Sequence, residues 1–344
     1  LSPAYNHLVT WDAADENKIL PGLAERWEVT PDGKVYTFYL RQGVKFHDGK
    51  PLTAADVKIT FDRAAGFTEA FSPRKAWLAA LQRVEVVDDL TVKMYLKYPS
   101  ASFLTIVAEP YNFIFPKHVI DEKGDMKRTV MGTGPFKLKE YMRGVKFSLE
   151  KNPDYWVKGQ PYLDGIDWYI IMDAGAQFAA IRTGQVQVEI PVNHALLPAQ
   201  INILKKEVPT IQLQDRNWAL NHYFGVNVER KPWTDIRVRK AAFLAMDREA
   251  WLKVVLQGSG EIGGFFIPGG YYAYTLDELR TWPGYGKDKD KERAEAKKLL
   301  AEAGYPDGLE LGEGIIVRNT KEQMDIAIFA ADQLSKVGIK AVVR

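Results

Sequence analysis

Two stretches of the chain alternate apolar and polar residues, and several others repeat apolar residues at helical spacing. Val35 to Leu40 is a run of β-branched and aromatic residues and predicts a strand. Leu90, Val92, Met94 and Leu96 fall on one face and Thr91, Lys93, Tyr95 and Lys97 on the other. With Val84 to Val87 and the Asp88-Asp89 turn, they predict a β-hairpin. A second hairpin is predicted from Phe136-Lys-Leu-Lys139 and Val145 to Leu149, joined across Arg143-Gly144. Tyr5 to Val9 fits a short strand or a helix edge. Between the strands, Thr53-x-x-Asp56 has the spacing of a capping box with Asp in place of Glu or Gln. Behind it Val57, Phe61 and Ala64 or Ala65 share one helical face.

The second half of the chain has a different rhythm. Ala174 to Gly184 predicts a helix and Gln185 to Glu189 a strand, and Trp218 to Val228 is extended and rich in aromatics. Asp235 and Asp247 are predicted N-caps of two helices. The first buries Val238, Ala241, Ala242 and Ala245, and the second ends at Gly258. Gly258 to Gly270 is an apolar, Gly-rich loop. Lys287 to Ala303 is a charged helix that buries Ala296, Leu299, Leu300 and Ala303 before Gly304 and Pro306 stop it. A strand at Leu309 to Arg318, a helix at Glu322 to Val337 and a strand at Ile339 to Val343 follow. This order predicts an α/β unit with a partly parallel sheet.

Composition narrows the function. The 344 residues suit about two domains. With a net charge of +2, bulk charge points to neither a nucleic-acid nor a membrane partner. There is no cysteine, so disulfides, thiolate metal sites and a cysteine nucleophile are excluded. His7, His47, His118, His194 and His222 never pair at the spacing of a zinc site, and no G-x-S-x-G elbow occurs. A nickel ligand would therefore have to arrive already chelated. Gly132-Thr-Gly134 fails as a phosphate loop, since Lys137 stands where a third Gly would and a strand follows. Aromatic residues make up 12% of the chain, enough to line a cleft as well as a core. No catalytic set accompanies them.

One run of residues adds more. It comprises Pro21, Leu23, Ala24, Trp27, an Asp32-Gly33 turn, Gly43, Val44, Phe46-His-Asp-Gly49 and Asp56-Val57. Gly132-Thr-Gly-Pro-Phe136 and Asn152-Pro-Asp-Tyr-Trp156 follow, then Asn227, Pro232, Asp235, Arg237, Val238, Arg239 and Ala241. In these positions the chain resembles the family 5 solute-binding proteins of ABC transporters, the peptide- and nickel-binding group. Gln187 stands where the family has Asp, and Trp233 where it has Phe.

The resemblance implies an α/β, two-lobe periplasmic binding protein fold of type II, with an extra β-rich subdomain in lobe I. Lobe I is expected over residues 1–222, with the subdomain at about 5–141, and an incomplete lobe II over 223–344. The resemblance also implies that residues are missing at both ends, so that the fragment alone should fold poorly. Ligand-binding candidates are Trp77, Glu109, Tyr111, Asn112, Thr133, Trp218, Asn221 and Tyr223. The aromatics among them fit a core or buried-strand role as well as a cleft. The implied function is capture of a small solute, a peptide or peptide-like compound, by hinge closure and its delivery to membrane permease subunits. Oligosaccharides, opines and metal chelates are the other ligands in view. No catalysis, cofactor, protein-held metal or nucleic acid is expected, and the protein should be a monomer in the periplasm or anchored outside the cell as a lipoprotein. An aromatic-cleft glycoside hydrolase and the sensor domain of a regulator are the alternatives; the first would need a carboxylate pair in the cleft.

Overall fold

The computed structural model describes residues 2–12, 15, 18–188, 196, 198–214, 223–270, 272–317 and 321–344. They fall into two compact units, Leu1–Ile171 and Met172–Arg344. The expected lobe boundary at residues 222 and 223 lies at the edge of a stretch outside the described residues.

The first unit opens with a single 3₁₀ turn at Ser2–Ala4 and a small antiparallel pair, β1 (Val9–Trp11) with β2 (Ile19–Pro21). Next come β3 (Ala24–Val29), β4 (Val35–Leu40), α1 (Ala54–Ala64), β5 (Leu81–Asp88) and β6 (Thr91–Leu96). Their sheet runs β3-β4-β6-β5, antiparallel throughout. Phe38 sits opposite Val92 and Tyr36 opposite Met94, so the period-two pattern puts one apolar row inside. That row meets Val57 and Phe61 of α1, both fully buried. The capping box forms in part. The Asp56 carboxylate accepts from the Thr53 backbone N–H at 2.8 Å and from its hydroxyl at 2.9 Å. Asp being one carbon shorter than Glu, it stays close to its helix, and its other oxygen accepts from the Lys117 backbone N–H at 2.6 Å. A buried carboxylate thus ties α1 to a helix start 61 residues away.

Short helices α2 (Phe103–Val107) and α3 (Lys117–Lys123) precede a three-stranded antiparallel sheet of β7 (Phe136–Met142), β8 (Lys146–Lys151) and β9 (Gly165–Tyr169). The β7–β8 turn uses Gly144 at φ +74°, as its hairpin position demands.

The second unit holds α4 (Ala174–Arg182), α5 (Pro198–Glu207), α6 (Ile236–Ala245), α7 (Arg248–Val254), α8 (Leu276–Arg280), α9 (Lys289–Glu302), β10 (Leu309–Ile315), α10 (Lys321–Ser335) and β11 (Ile339–Val343). Strands β10 and β11 pair in parallel, Leu309 opposite Ile339, with α10 as the crossover. Val238, Ala241, Ala242 and Ala245 of α6 meet Ala296 and Leu300 of α9, small residues letting the two helices approach closely. Asp235 and Asp247 cap as expected, accepting from Arg237 at 2.8 Å and from Ala250 at 2.9 Å. Arg237 also folds its guanidinium back onto Asp235, holding that carboxyl down to about 2.

One element differs from expectation. Gln185 to Val188 form no strand. The Val186 N–H returns to the Ala180 carbonyl at 3.1 Å and the Gln187 amide caps the Gly184 carbonyl at 2.9 Å. The Val186 N–H, which a ladder would use, is spent finishing α4.

Candidate ligand-binding site

Within the first unit, two turns bring Arg74, Trp77 and Tyr111 together. After α1 the chain reverses: the Ser72 hydroxyl donates to the Ala64 carbonyl at 2.6 Å, and the Trp77 N–H to the Arg74 carbonyl at 2.9 Å. Leu78, buried in the core, pins this segment while Trp77 beside it stays 49% exposed. The second turn leaves α2. The Asn112 N–H donates to the Glu109 carbonyl at 2.9 Å and its side-chain amide to the Ile106 carbonyl at 2.5 Å. A buried amide thus locks the turn that holds Tyr111 at its tip, 61% exposed.

The Arg74 guanidinium lies over both rings, 3.5 Å from the Tyr111 centroid and 4.7 Å from that of Trp77. These are cation–π distances. Its side chain forms no ion pair or hydrogen bond with any described residue, and Nη1 is shut off from solvent. Glu109 is half-buried and makes no ion pair among the described residues. His7 lies beneath this turn, tilted on Phe113 at 4.8 Å. Burial pushes its imidazole below the ordinary histidine value, more than the Pro110 carbonyl raises it.

Thr133 sits elsewhere, in a closed polar cluster. It is fully buried, and its hydroxyl donates to Asn6 Oδ1 at 3.0 Å. The same oxygen accepts from Trp156 Nε1 at 3.1 Å, and the Asn6 amide donates to the Tyr155 hydroxyl at 3.2 Å. Asn152 donates to the Gly134 carbonyl at 3.0 Å, and His47 Nε2 lies 3.1 Å from the same oxygen. The Gly-Thr-Gly-Pro and Asn-x-x-Tyr-Trp motifs therefore act together: they clasp the first residues of the chain. Gly134 has to be Gly, because a Cβ there would lie 2.5 Å from the Pro3 carbonyl oxygen and from the Tyr5 nitrogen.

In the second unit Tyr223 is 88% exposed, and its neighbour Phe224 stands edge-on to Trp233 at 6.0 Å. Trp218 and Asn221 lie outside the described residues. Of the predicted site residues, then, Trp77, Glu109, Tyr111 and Asn112 share one pair of turns and Thr133 belongs to another cluster. Arg74, three residues before Trp77, was not among the residues named from the sequence. Among the described residues no group of three or more His, Asp or Glu could hold a metal ion.

The model of the bacterial extracellular solute-binding proteins, family 5, middle region, matches residues 18–344. The chain belongs to this family. Among family 5 relatives, a glutathione-binding protein, GsiB, of Salmonella paratyphi A is 32% identical over 329 residues, covering 94% of the chain and 60% of the relative. A dipeptide-binding protein of Escherichia coli is also 32% identical, covering 90% of the chain and 59% of the relative. The chain thus spans about three fifths of the length of these relatives. Solved structures of binding proteins resemble it, two of which serve as examples. One is the periplasmic binding protein AgaA of A. tumefaciens R10 with agropinic acid: TM-score 0.80, 28% identity, 100% of the chain and 67% of that structure. The other is DppA of Helicobacter pylori with the peptide STSA: TM-score 0.81, 26% identity, 99% and 67%. The α/β fold implied by the motifs is the fold of these binding proteins. No helix among the described residues is long and apolar enough to cross a membrane.

Proposed function

We propose that the chain is the solute-capturing component of an ABC importer and takes a peptide or peptide-like compound. Residues 1–222 and 223–344 act as two lobes that close on the solute by a hinge and hand it to membrane permease subunits. The solute leaves unchanged, so the protein is a binder and not an enzyme. It works as a monomer in the periplasm or tethered outside the cell as a lipoprotein. The observation that carries this reading is the exposed Trp77–Tyr111 pair on locked turns in a family 5 chain. Exposed aromatics on rigid supports are what a binding surface needs, since little ordering is left to do when the ligand arrives. The named ligands of relatives and neighbours (glutathione, dipeptides, the peptide STSA and agropinic acid) are all amino-acid-derived or peptide-like.

The test is calorimetric titration of the protein with glutathione, alanylalanine, Ser-Thr-Ser-Ala and agropinic acid, with mass spectrometry of the recovered compound. The expected result is one-to-one binding of at least one of them, recovered intact. Binding of none, or recovery of a converted product, overturns the proposal.

A further inference from the structure

The C-terminal end of α1 borders a cavity of about 360 Å³ that Arg74, Trp77 and Tyr111 do not line. Its floor is apolar: Ala65, Leu78 and Leu81 are all buried in the core of the first unit. Its rim is formed by the exposed residues Phe67, Ala79, Lys75 and Lys97. Nothing local uses the charge of the two lysines. The last carbonyls of α1 are already taken, Asp62 by the Phe67 N–H at 2.8 Å, Arg63 by the Gly66 N–H at 3.1 Å and Ala64 by the Ser72 hydroxyl at 2.6 Å. The first two bonds are those of a Schellman motif, whose apolar residue often packs back on the helix; Phe67 instead stays 44% exposed beside the cavity. Lys75 lays its stem across Gly66, where a Cβ would come 2.8 Å from its Cδ, and makes no ion pair or hydrogen bond with any described residue. Lys97 donates to the Ala79 carbonyl at 3.0 Å and has no carboxylate partner among the described residues.

We propose that this cavity is a second binding site, separate from the solute surface and independent of the transport reading, and that it takes a small amphiphilic anion: one short alkyl body with one negatively charged head. The body lies on Ala65, Leu78 and Leu81 and against the Phe67 ring, exchanging water for apolar contact. The head meets the ammonium groups of Lys75 and Lys97. A lysine is a compact charge on a flexible stem, so both can reach one head without any backbone movement. They also impose no planar geometry, which makes the charge of the head matter more than its shape: sulfate and carboxylate heads are taken alike. A neutral head loses the electrostatic part and a cationic head is repelled. The volume is at the lower end of ligand pockets, about 300–1,000 Å³, so the occupant is a single free chain and not a two-chain lipid. Ala79, with the smallest side chain of the rim, leaves the entrance open.

The experiment titrates the protein calorimetrically with decyl sulfate, octyl sulfate, decanoate, decanol and decyltrimethylammonium, all below the concentrations at which they form micelles. The proteins are the wild type, the double variant Lys75→Gln/Lys97→Gln, and Ala79→Phe. In the wild type one decyl sulfate should bind per chain, with decanoate within about threefold of it. Decanol should bind about tenfold more weakly, the scale of two solvent-exposed charge contacts, and decyltrimethylammonium more weakly still. Octyl sulfate should also be about tenfold weaker than decyl sulfate, for the loss of two buried methylenes. In the double variant decyl sulfate should fall about tenfold, to the level of decanol, with decanol unchanged. In Ala79→Phe, where the new ring fills the entrance, both should weaken more than tenfold. If Ala79→Phe does not fold, the smaller plug Ala79→Leu decides, with the same expectation. Equal affinity of wild type for decyl sulfate and decanol overturns the proposal, since the lysines then recognise no charge. Decyl sulfate binding that persists in the double variant or in the plugged variant places the anion elsewhere and overturns it. Binding of many molecules without saturation marks detergent adsorption only, and no binding at all leaves the cavity without this occupant; each overturns it. None of these outcomes touches the transport reading, which stands or falls with its own ligands.

Discussion

The first unit contains two clusters of aromatic and polar residues, and they are built on opposite plans. Around Asn6, the Thr133 hydroxyl, the Trp156 N–H and the Tyr155 hydroxyl all find partners inside the protein, and the group is packed tightly enough that Gly134 admits no side chain. Around Arg74 the rings of Trp77 and Tyr111 face solvent, and a buried guanidinium nitrogen has no acceptor among the described residues. The first cluster can do nothing for a ligand without being taken apart. The second leaves a donor and two ring faces open. The Gly-Thr-Gly-Pro and Asn-x-x-Tyr-Trp motifs lie in the first, so these two motifs mark where the fold is held.

The sharpest way to break this contrast is to disturb the closed cluster. Gly134→Ala forces a methyl group against the backbone of residues 3 to 5, where no side chain can give way. Overpacking of this kind costs about 3 kcal/mol, and contact with backbone puts it at the upper end. Thermal melts should show a large fall, while the molecules that remain folded bind solute with unchanged affinity. Lost affinity at full stability would place the Gly-Thr-Gly-Pro turn in the binding surface instead.

Trp77→Ala probes the open cluster. A ring half in water leaves no sealed cavity when it is removed, so the penalty of about 3–5 kcal/mol for a core tryptophan does not apply. Loss of an aromatic anchor should instead weaken solute binding by about 2 kcal/mol, or roughly 30-fold, with the melting temperature of the ligand-free protein nearly unmoved. A large drop in melting temperature with unchanged affinity would remove Trp77 from the site.

A smaller effect comes from pH. His47 belongs to the closed cluster through the Gly134 carbonyl, and His7 packs on Phe113 beneath the Tyr111 turn. Burial holds both imidazoles below the ordinary histidine value. Below a pH of about 6.5 the unfolded chain therefore takes up protons that the folded chain refuses. Stability should be full above that value and fall as the pH is lowered toward the depressed values. Melts between pH 7.5 and 5.5, where ordinary carboxylates stay ionised, should show the decline. A flat profile would mean that the folded protein accommodates both imidazolium ions.

What the sequence revealed follows the same division. Strands β4 and β6 and helices α1, α6 and α9 were legible because their pattern faces one core, Val92 opposite Phe38 and Leu300 against Ala242. Strand β9 escaped: Gly165 to Tyr169 forms an edge with little to bury, so its identity comes from pairing with β8 and not from its own residues. The helix α2 is only five residues long, too short for a periodic signal. Trp77 and Tyr111 could be named as candidates from the resemblance. Arg74 could not, because what distinguishes it is a missing partner, and sequence pattern reports which residues are present and not whether a donor is satisfied. Thr133 was named for its place in a motif whose work is structural.

The smallest expected effect sharpens the comparison by testing its control. Arg83 has the same ring contact as Arg74, with Tyr95 on a neighbouring strand, but its Glu85 partner is its own. Both charged side chains are about half exposed, so water screens the pair and already solvates whatever the protein does not. Arg83→Gln should change stability by no more than about 1 kcal/mol, the sum of an exposed ion pair and an exposed cation–π contact. Solute affinity should stay at its wild-type value. If an arginine over an exposed ring were enough to make a binding surface, Arg83→Gln would weaken solute binding as Trp77→Ala does. A measurable loss of solute affinity in Arg83→Gln would therefore remove the unsatisfied donor as the feature that sets the Arg74 cluster apart, leaving only the cation and the ring, which the two arginines share.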